Sequence, residues 1–189
     1  QGRHVEARVA WWRQTATGEI ARRLNDPAGD FENVGATRRS GIDLQVRAQV
    51  LPGLEGWGAL AWQKATIAVP PPATPAFAGN AIDHVPEWLW SGGIEWQALR
   101  TTSLGLSGRG QSAYHLTSAN AEGRWGRSAV FDLTLRHRLA PWFNPGLELG
   151  LTLHNLLADL HEYVWWDGAQ TLHSPGEGRA LTASLRARM

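Results

Sequence analysis

The chain has 189 residues, no cysteine, 43% hydrophobic residues and a formal charge of +1 from 18 basic and 17 acidic side chains. The missing cysteines exclude a disulfide framework and thiolate metal or redox chemistry, and basic residues interspersed with acidic ones give no electrostatic case for nucleic acid. No run approaches the ~18 apolar residues of a transmembrane helix, so any membrane crossing would be made by strands.

Gln1 opens the chain with no initiator Met, basic n-region or apolar h-region, so the N-terminus reads as a cut. From His4 to Arg23, Val5, Ala7, Val9 and Trp11 alternate with Glu6, Arg8 and Trp12. The interruption at Thr15 to Gly18 is either a hairpin turn or the irregular upper part of one long strand, and the second is favoured if the strands are counted back from a last strand that runs toward the short-turn side. In the following loop Asn25, Asp26 and Asp30 offer only a partial oxygen set for calcium, and a capped turn explains them better.

Phe31 to Leu51 is the second strand, with Ile42, Leu44, Val46, Ala48 and Val50 in one phase and Asp43, Gln45, Arg47 and Gln49 in the other. Pro52-Gly53 is a tight turn. Glu55 to Ile67 is a strand whose phase stays open between Trp57/Ala59/Ala61 and Leu60/Trp62. Ala68 to His84 contains Pro70, Pro71, Pro72 and Pro75, cannot pair in a sheet and reads as a large surface loop. In Pro86 to Ala98, Trp88, Trp90, Ile94 and Trp96 oppose Glu87, Ser91, Glu95 and Gln97.

Thr101 to Tyr114 is a further strand, His115 to Gly126 a loop, and Ala129 to Leu139 a strand in which Phe131, Leu133, Leu135 and Leu139 oppose Asp132, Thr134, Arg136 and Arg138. After the turn at Ala140 to Gly146, Leu147, Leu149, Leu151 and Leu153 alternate into Asn155-Leu156-Leu157. A long loop from Ala158 to Gly178 precedes the last strand, whose Leu181, Ala183, Leu185, Ala187 and Met189 oppose Thr182, Ser184, Arg186 and Arg188.

The pattern is all-β: about eight antiparallel strands joined alternately by tight turns and long loops. A soluble sheet with one wet face gives the same alternation. A transmembrane barrel is favoured because several strands exceed the roughly 9–11 residues that cross a bilayer at a tilt, because long and short connections fall on opposite sides, and because the eleven tryptophans gather near strand ends. An arginine facing lipid at mid-bilayer would cost roughly 2–4 kcal/mol, so the phase is firmly set.

The closing segment resembles the last hairpin of a TonB-dependent outer-membrane receptor: an alternating strand, the Asn155-Leu156 pair, Tyr163, and Gly178-Arg179 before the final strand, with a two-residue insertion. Asn33-Val34-Gly35 with Arg39-Ser40-Gly41-Ile42-Asp43 is similar to the family's Asn-x-Gly…Gly-(Ile/Val)-Glu strand, Asp43 standing where Glu is usual, and Val85-Pro86 matches its Val-Pro strand start. Met189 departs from the family's terminal Phe. Family receptors close about 22 strands around a plug. The resemblance therefore implies that residues 1–189 are about eight C-terminal strands of such a barrel, with the plug domain and earlier strands absent.

What the resemblance implies further is active uptake of a scarce ligand, a ferric siderophore or similar chelate, across the bacterial outer membrane, with outer-membrane lipid around the barrel and energy delivered by the TonB complex through the missing plug region. No cofactor is implied. A self-contained eight-stranded outer-membrane barrel with a structural, adhesion or lipid-modifying role stays open, because eight strands also close a small barrel.

Catalytic motifs are weak. Trp165 stands where a zinc site begun by His161-Glu162 would need its second His, Gly105-Leu106-Ser107-Gly108 lacks the spacing of a nucleophile elbow, and Gly108-Arg109-Gly110 lacks the third Gly of a dinucleotide loop. Neither catalytic nor metal-ligating residues are assigned, and the chain reads as a non-enzyme. The candidate ligand contacts are His161, Tyr163, Trp165, Trp166 and His173 in the long loop, where rings can stack on a ligand and imidazoles can donate hydrogen bonds. Membership of Trp165 and Trp166 in an aromatic girdle is the alternative.

Overall fold

The computed structural model describes residues 4–22, 31–139 and 146–187, and every structural statement below refers to these. Eight strands form one antiparallel sheet: β1 (Val5–Arg22), β2 (Phe31–Leu51), β3 (Leu54–Val69), β4 (Trp88–Leu99), β5 (Thr102–Gln111), then, after the small ladder β6 (Tyr114–His115) and β7 (Arg124–Trp125), β8 (Ser128–Arg138) and β9 (Leu147–His154). A second hairpin, β10 (Glu162–Trp166) with β11 (Thr171–Pro175), precedes the last sheet strand, β12 (Ala180–Ala187). The order in the sheet is β1-β2-β3-β4-β5-β8-β9-β12, with β1 and β12 at its edges. No described helix is long and apolar enough to cross a membrane, which leaves strands free to do so.

The register carries a single apolar face across all eight strands, since residues directly opposite in an antiparallel pair project to the same side. Ile94 of β4 lies opposite Leu106, Leu106 opposite Leu133, Leu133 opposite Leu153, and Leu153 opposite Leu181. The other face is polar, as in the rows Ser107–Asp132 and Thr134–Thr152. Ion pairs cross-brace it: Arg136 reaches Glu95 at 2.8 Å and Arg109 reaches Asp132 at 3.3 Å.

The phase of β3, open from its own residues, is settled by its neighbour. Leu60 lies opposite Leu44 and Trp62 opposite Ile42, so both share the apolar face, while Trp57 lies opposite Arg47 on the polar one. Trp57 therefore leaves the proposed girdle, as does Trp12. Each covers a glycine on the polar face: a Cβ at Gly41 would meet the Trp12 ring at 2.6 Å, and one at Gly93 would meet Trp57 Nε1 at 3.0 Å. Trp88 and Trp96 keep the apolar face at opposite ends of β4, and the Trp62 and Trp88 rings sit 6.3 Å apart.

β1 is one strand, as the interruption at Thr15 to Gly18 suggested. The register shifts between Ala16 and Glu19, and Gly18 takes φ +61, so the irregularity is a bulge and not a turn. The Asn-x-Gly motif of β2 has a local cause. Asn33 Oδ1 accepts the Gly35 N–H at 2.8 Å, Gly35 takes φ +83, and a Cβ there would lie 2.1 Å from the Val69 carbonyl oxygen.

Connections are short at one end of the sheet and long at the other. Pro52-Gly53, with Gly53 at φ +76, joins β2 to β3, and Arg100-Thr101 joins β4 to β5. The calcium-like residues Asn25, Asp26 and Asp30, most of the turn at 140–146, and Met189 lie outside the described residues.

The long loops are more structured than the sequence suggests. Ala68 and Val69 belong to β3, and Val69 pairs with Ala36 of β2, which corrects the expectation that the proline-rich stretch from Ala68 cannot pair. Pro70 to Pro72 do stay outside the sheet, followed by a 3-10 turn at Pro75–Phe77 and a bridge from Ala81 to Thr66. The strand expected over Thr101 to Tyr114 ends at Gln111, Tyr114 joins the β6–β7 ladder with residues of the expected loop His115 to Gly126, and Ala158 to Gly178 contains β10–β11.

Candidate functional site

The first two long loops, 70–87 and 112–127, are hydrogen-bonded to each other. Asn80 Nδ2 donates to the Ser118 carbonyl at 2.9 Å, Asn120 Oδ1 accepts the Ala81 N–H at 2.8 Å, and the His84 N–H donates to the His115 carbonyl at 2.8 Å. The Ser118 hydroxyl donates to Asp83 Oδ1 at 2.7 Å, and His84 Nδ1 lies 3.2 Å from Asp83 Oδ2. Burial pushes the Asp83 carboxyl upward, but the bonds from His84 and Ser118 outweigh it and hold the group below the usual aspartate range.

A small apolar cluster joins the second and third loops. Tyr114, Leu116 and Val164 are buried together, with Trp125 and Trp166 packed against them. Burial pushes the Tyr114 phenol up, so it stays neutral at physiological pH.

Hairpin β10–β11 thereby acquires two distinct faces. Val164 lies opposite His173 and Trp166 opposite Thr171, and these residues turn toward the cluster: the His173 ring meets Trp125 edge-on at 5.4 Å. Tyr163 and Trp165 lie on the other face, opposite Ser174 and Leu172. His161 joins that face, its ring 6.3 Å from Tyr163 and lying directly over Gly176. Of the five candidate contacts, His161, Tyr163 and Trp165 are thus brought together, while Trp166 and His173 form a second group behind them.

His161 and Tyr163 of the first group line a cavity of about 480 Å³ between the hairpin and the polar face of the sheet, and Trp165, on the same hairpin face, lies outside its lining. Asp43, Gln45, Ser91 and Arg109 form its floor, and His161, Glu162 and Tyr163 its roof. The lining mixes both charges with hydroxyl, amide and aromatic groups, a composition able to orient a polar ligand while a ring stacks on it. Tyr163 is 57% exposed and Trp165 37%, so both remain available to a ligand.

One arrangement has the connectivity of a nucleophile triad. Glu162 Oε2 lies 2.5 Å from His173 Nδ1, and His173 Nε2 lies 3.0 Å from Thr171 Oγ1. The row runs across the hairpin on its cluster-facing side, with the imidazole against Trp125, and it braces β10 to β11. The group that pattern reading missed is the one at the hairpin's base. Asp132, on the polar face of β8, accepts the Asn155 N–H at 2.9 Å and pairs with Arg109 on the cavity floor. The signal available was the Asn155-Leu156 pair, which marks a motif without saying what the amide holds.

Comparison with known proteins accounts for the architecture. Residues 1–156 match the family described as TonB dependent receptor-like, beta-barrel. Among solved structures, the ferric-catecholate import receptor Fiu of E. coli K12 in its closed form superposes with TM-score 0.70 at 22% identity, over 97% of this chain and 25% of that one. The ferric citrate transporter FecA, unliganded, gives 0.77 at 16% over 97% and 29%, and the ferric yersiniabactin uptake receptor FyuA of Yersinia pestis gives 0.78 at 14% over 97% and 27%. No curated protein matches the chain by sequence. The chain thus spans between a quarter and a third of the length of these structures. At these identities the likeness shows the fold, and the family match shows membership: the chain belongs to the TonB-dependent receptor β-barrel family, whose members are outer-membrane receptors and transporters rather than enzymes.

Proposed function

We propose that the chain is the C-terminal part of the barrel of a bacterial outer-membrane receptor that takes up a scarce ligand, a ferric siderophore or similar chelate, using energy from the TonB complex delivered through a plug region outside this sequence. The apolar face meets outer-membrane lipid, and the polar face lines the lumen. His161, Tyr163 and Trp165 contact the ligand from the lumenal face of the outer hairpin, and Trp166 and His173 support that face from behind. The observation that carries the reading is the hairpin folded over the polar face, which roofs a cavity with aromatic and imidazole side chains. The family match and the iron-chelate cargoes named for Fiu, FecA and FyuA support the ligand class.

The test is uptake of radioiron supplied as ferric catecholate, hydroxamate or citrate by iron-starved cells carrying the full-length receptor. Uptake of at least one chelate, lost when TonB is removed and reduced by Tyr163→Ala or Trp165→Ala, is the expected result. Uptake of none, or uptake indifferent to TonB, contradicts the proposal.

A further inference from the structure

Both feet of hairpin β10–β11 meet at one side chain. Asn155 follows β9, is 2% exposed and holds φ +49. Its Nδ2 donates to the carbonyls of Asp159 and Glu177, each at 3.0 Å, and its Oδ1 accepts the Asp159 N–H at 2.8 Å. Asp159 belongs to the segment leaving the sheet and Glu177 to the segment returning to it, so a single amide closes the base of the whole excursion.

That amide is in turn fixed to the barrel wall. The Asn155 N–H donates to Asp132 Oδ1 at 2.9 Å, the Leu156 N–H to the Phe131 carbonyl at 2.6 Å, and Asp159 Oδ2 accepts the Ala129 N–H at 3.0 Å, all on β8. Asparagine meets every demand of the position. It tolerates the left-handed backbone, and it offers two donors and an acceptor at the length required, whereas aspartate would offer no donor to the two carbonyls. A buried amide with its polar atoms engaged specifies one geometry, because each alternative leaves a buried polar group unpaired.

We propose that Asn155 is a positioning residue: it sets the height and tilt of the hairpin over the lumenal cavity, and so places His161, Tyr163 and Trp165 against the ligand. The inference rests on the cavity being the ligand site, as proposed above. Asp132 extends the same control to the cavity floor, because its second carboxylate oxygen pairs with Arg109 at 3.3 Å.

The test uses the full-length receptor in its membrane, spin-labelled through Ala169→Cys at the exposed hairpin tip, with Asn155→Gly as the perturbation. Glycine adopts φ +49 without steric cost, so this variant removes the side-chain bonds and little else. The mobile component of the spectrum is expected to rise severalfold while the heat-modifiable mobility of the barrel is kept. Affinity for whichever of ferric catecholate, hydroxamate or citrate the native receptor binds is expected to fall ~10-fold, about the effect of losing one to two net hydrogen bonds. Unchanged label mobility overturns the proposal, as does a mobile hairpin with unchanged affinity. If the native receptor binds none of the three chelates, the ligand reading fails instead, while the mobility result still decides whether Asn155 holds the hairpin. Should Asn155→Gly not assemble, hydrogen exchange of the native receptor decides: an Asp159 amide as protected as those of β8 supports the clamp, and one exchanging like an exposed loop amide overturns it.

Discussion

Replacing Leu133 with arginine, and separately its neighbour Thr134 with arginine, tests the face assignment at adjacent positions of one strand. Leu133 is the middle residue of β8 and lies opposite Leu106 on one side and Leu153 on the other, within the apolar row that crosses the sheet. Thr134 lies opposite Gly105 and Thr152 on the polar face, where its hydroxyl is 3.2 Å from that of Thr152. An arginine on the lipid face at mid-bilayer costs about 2–4 kcal/mol, which is roughly a 30- to 900-fold shift of the folding equilibrium. On the lumenal face the new cation sits between Asp132 and Arg136, both on the same side of β8, and the expected change is within about 0.5 kcal/mol. Each variant of the full-length receptor would be unfolded by denaturant in liposomes, with folded and unfolded forms separated by heat-modifiable gel mobility. The loss is expected to be confined to Leu133→Arg. Equal losses at both positions, or a greater loss at Thr134→Arg, would refute the assignment of faces.

Gly110→Ala should destabilise the barrel by about 1–3 kcal/mol, since the new Cβ would lie 2.5 Å from the Ser128 carbonyl and 2.7 Å from the Trp90 ring, whereas Gly105→Ala, with no contact nearer than 3.8 Å, should be nearly silent in the same unfolding assay. Leu116→Ala removes a side chain that is fully buried among the outer loops, so it should cost about 2–5 kcal/mol of local stability, read as protease cleavage within 112–127 with the barrel's gel mobility unchanged. Asp83 titrates lower in the folded loops than in an open chain. Its contribution is therefore complete above the ordinary aspartate value of about 3.9 and is lost as pH falls through the lower folded value. A spin label in the 70–87 loop should accordingly gain mobility below about pH 4, and Asp83→Asn should remove that pH dependence.

The long wall of the sheet was legible in the sequence because period two leaves little choice of phase once arginines and leucines alternate, as they do along β8 and β12. β3 was not, because Gly56, Gly58, Ala59 and Ala61 carry no contrast between faces, and only pairing with β2 resolves it. Trp57 was left open for a related reason, while Trp12 was read in the polar phase that it takes. An indole is acceptable on either face, and what fixed these two is the glycine beneath each. The outer loops hid their order more thoroughly. Two-residue ladders such as Tyr114–His115 with Arg124–Trp125 have no periodicity to read, and bonds such as Asn80 to Ser118 depend on segments far apart in the chain. The candidate contacts were chosen by residue type, but their division between the two faces of the hairpin depends on its register, and Asn155 was visible as part of a motif without the bonds that its amide makes.

The size of the native polypeptide distinguishes a receptor barrel with a plug from a complete small barrel. An antibody raised against residues 158–178, applied to outer-membrane fractions, should detect a band several-fold heavier than the 20.7 kDa of this chain, as a receptor with a plug and the remaining strands requires. A band near 20.7 kDa that shifts on heating would instead mean a complete eight-stranded barrel, and the import proposal would fall.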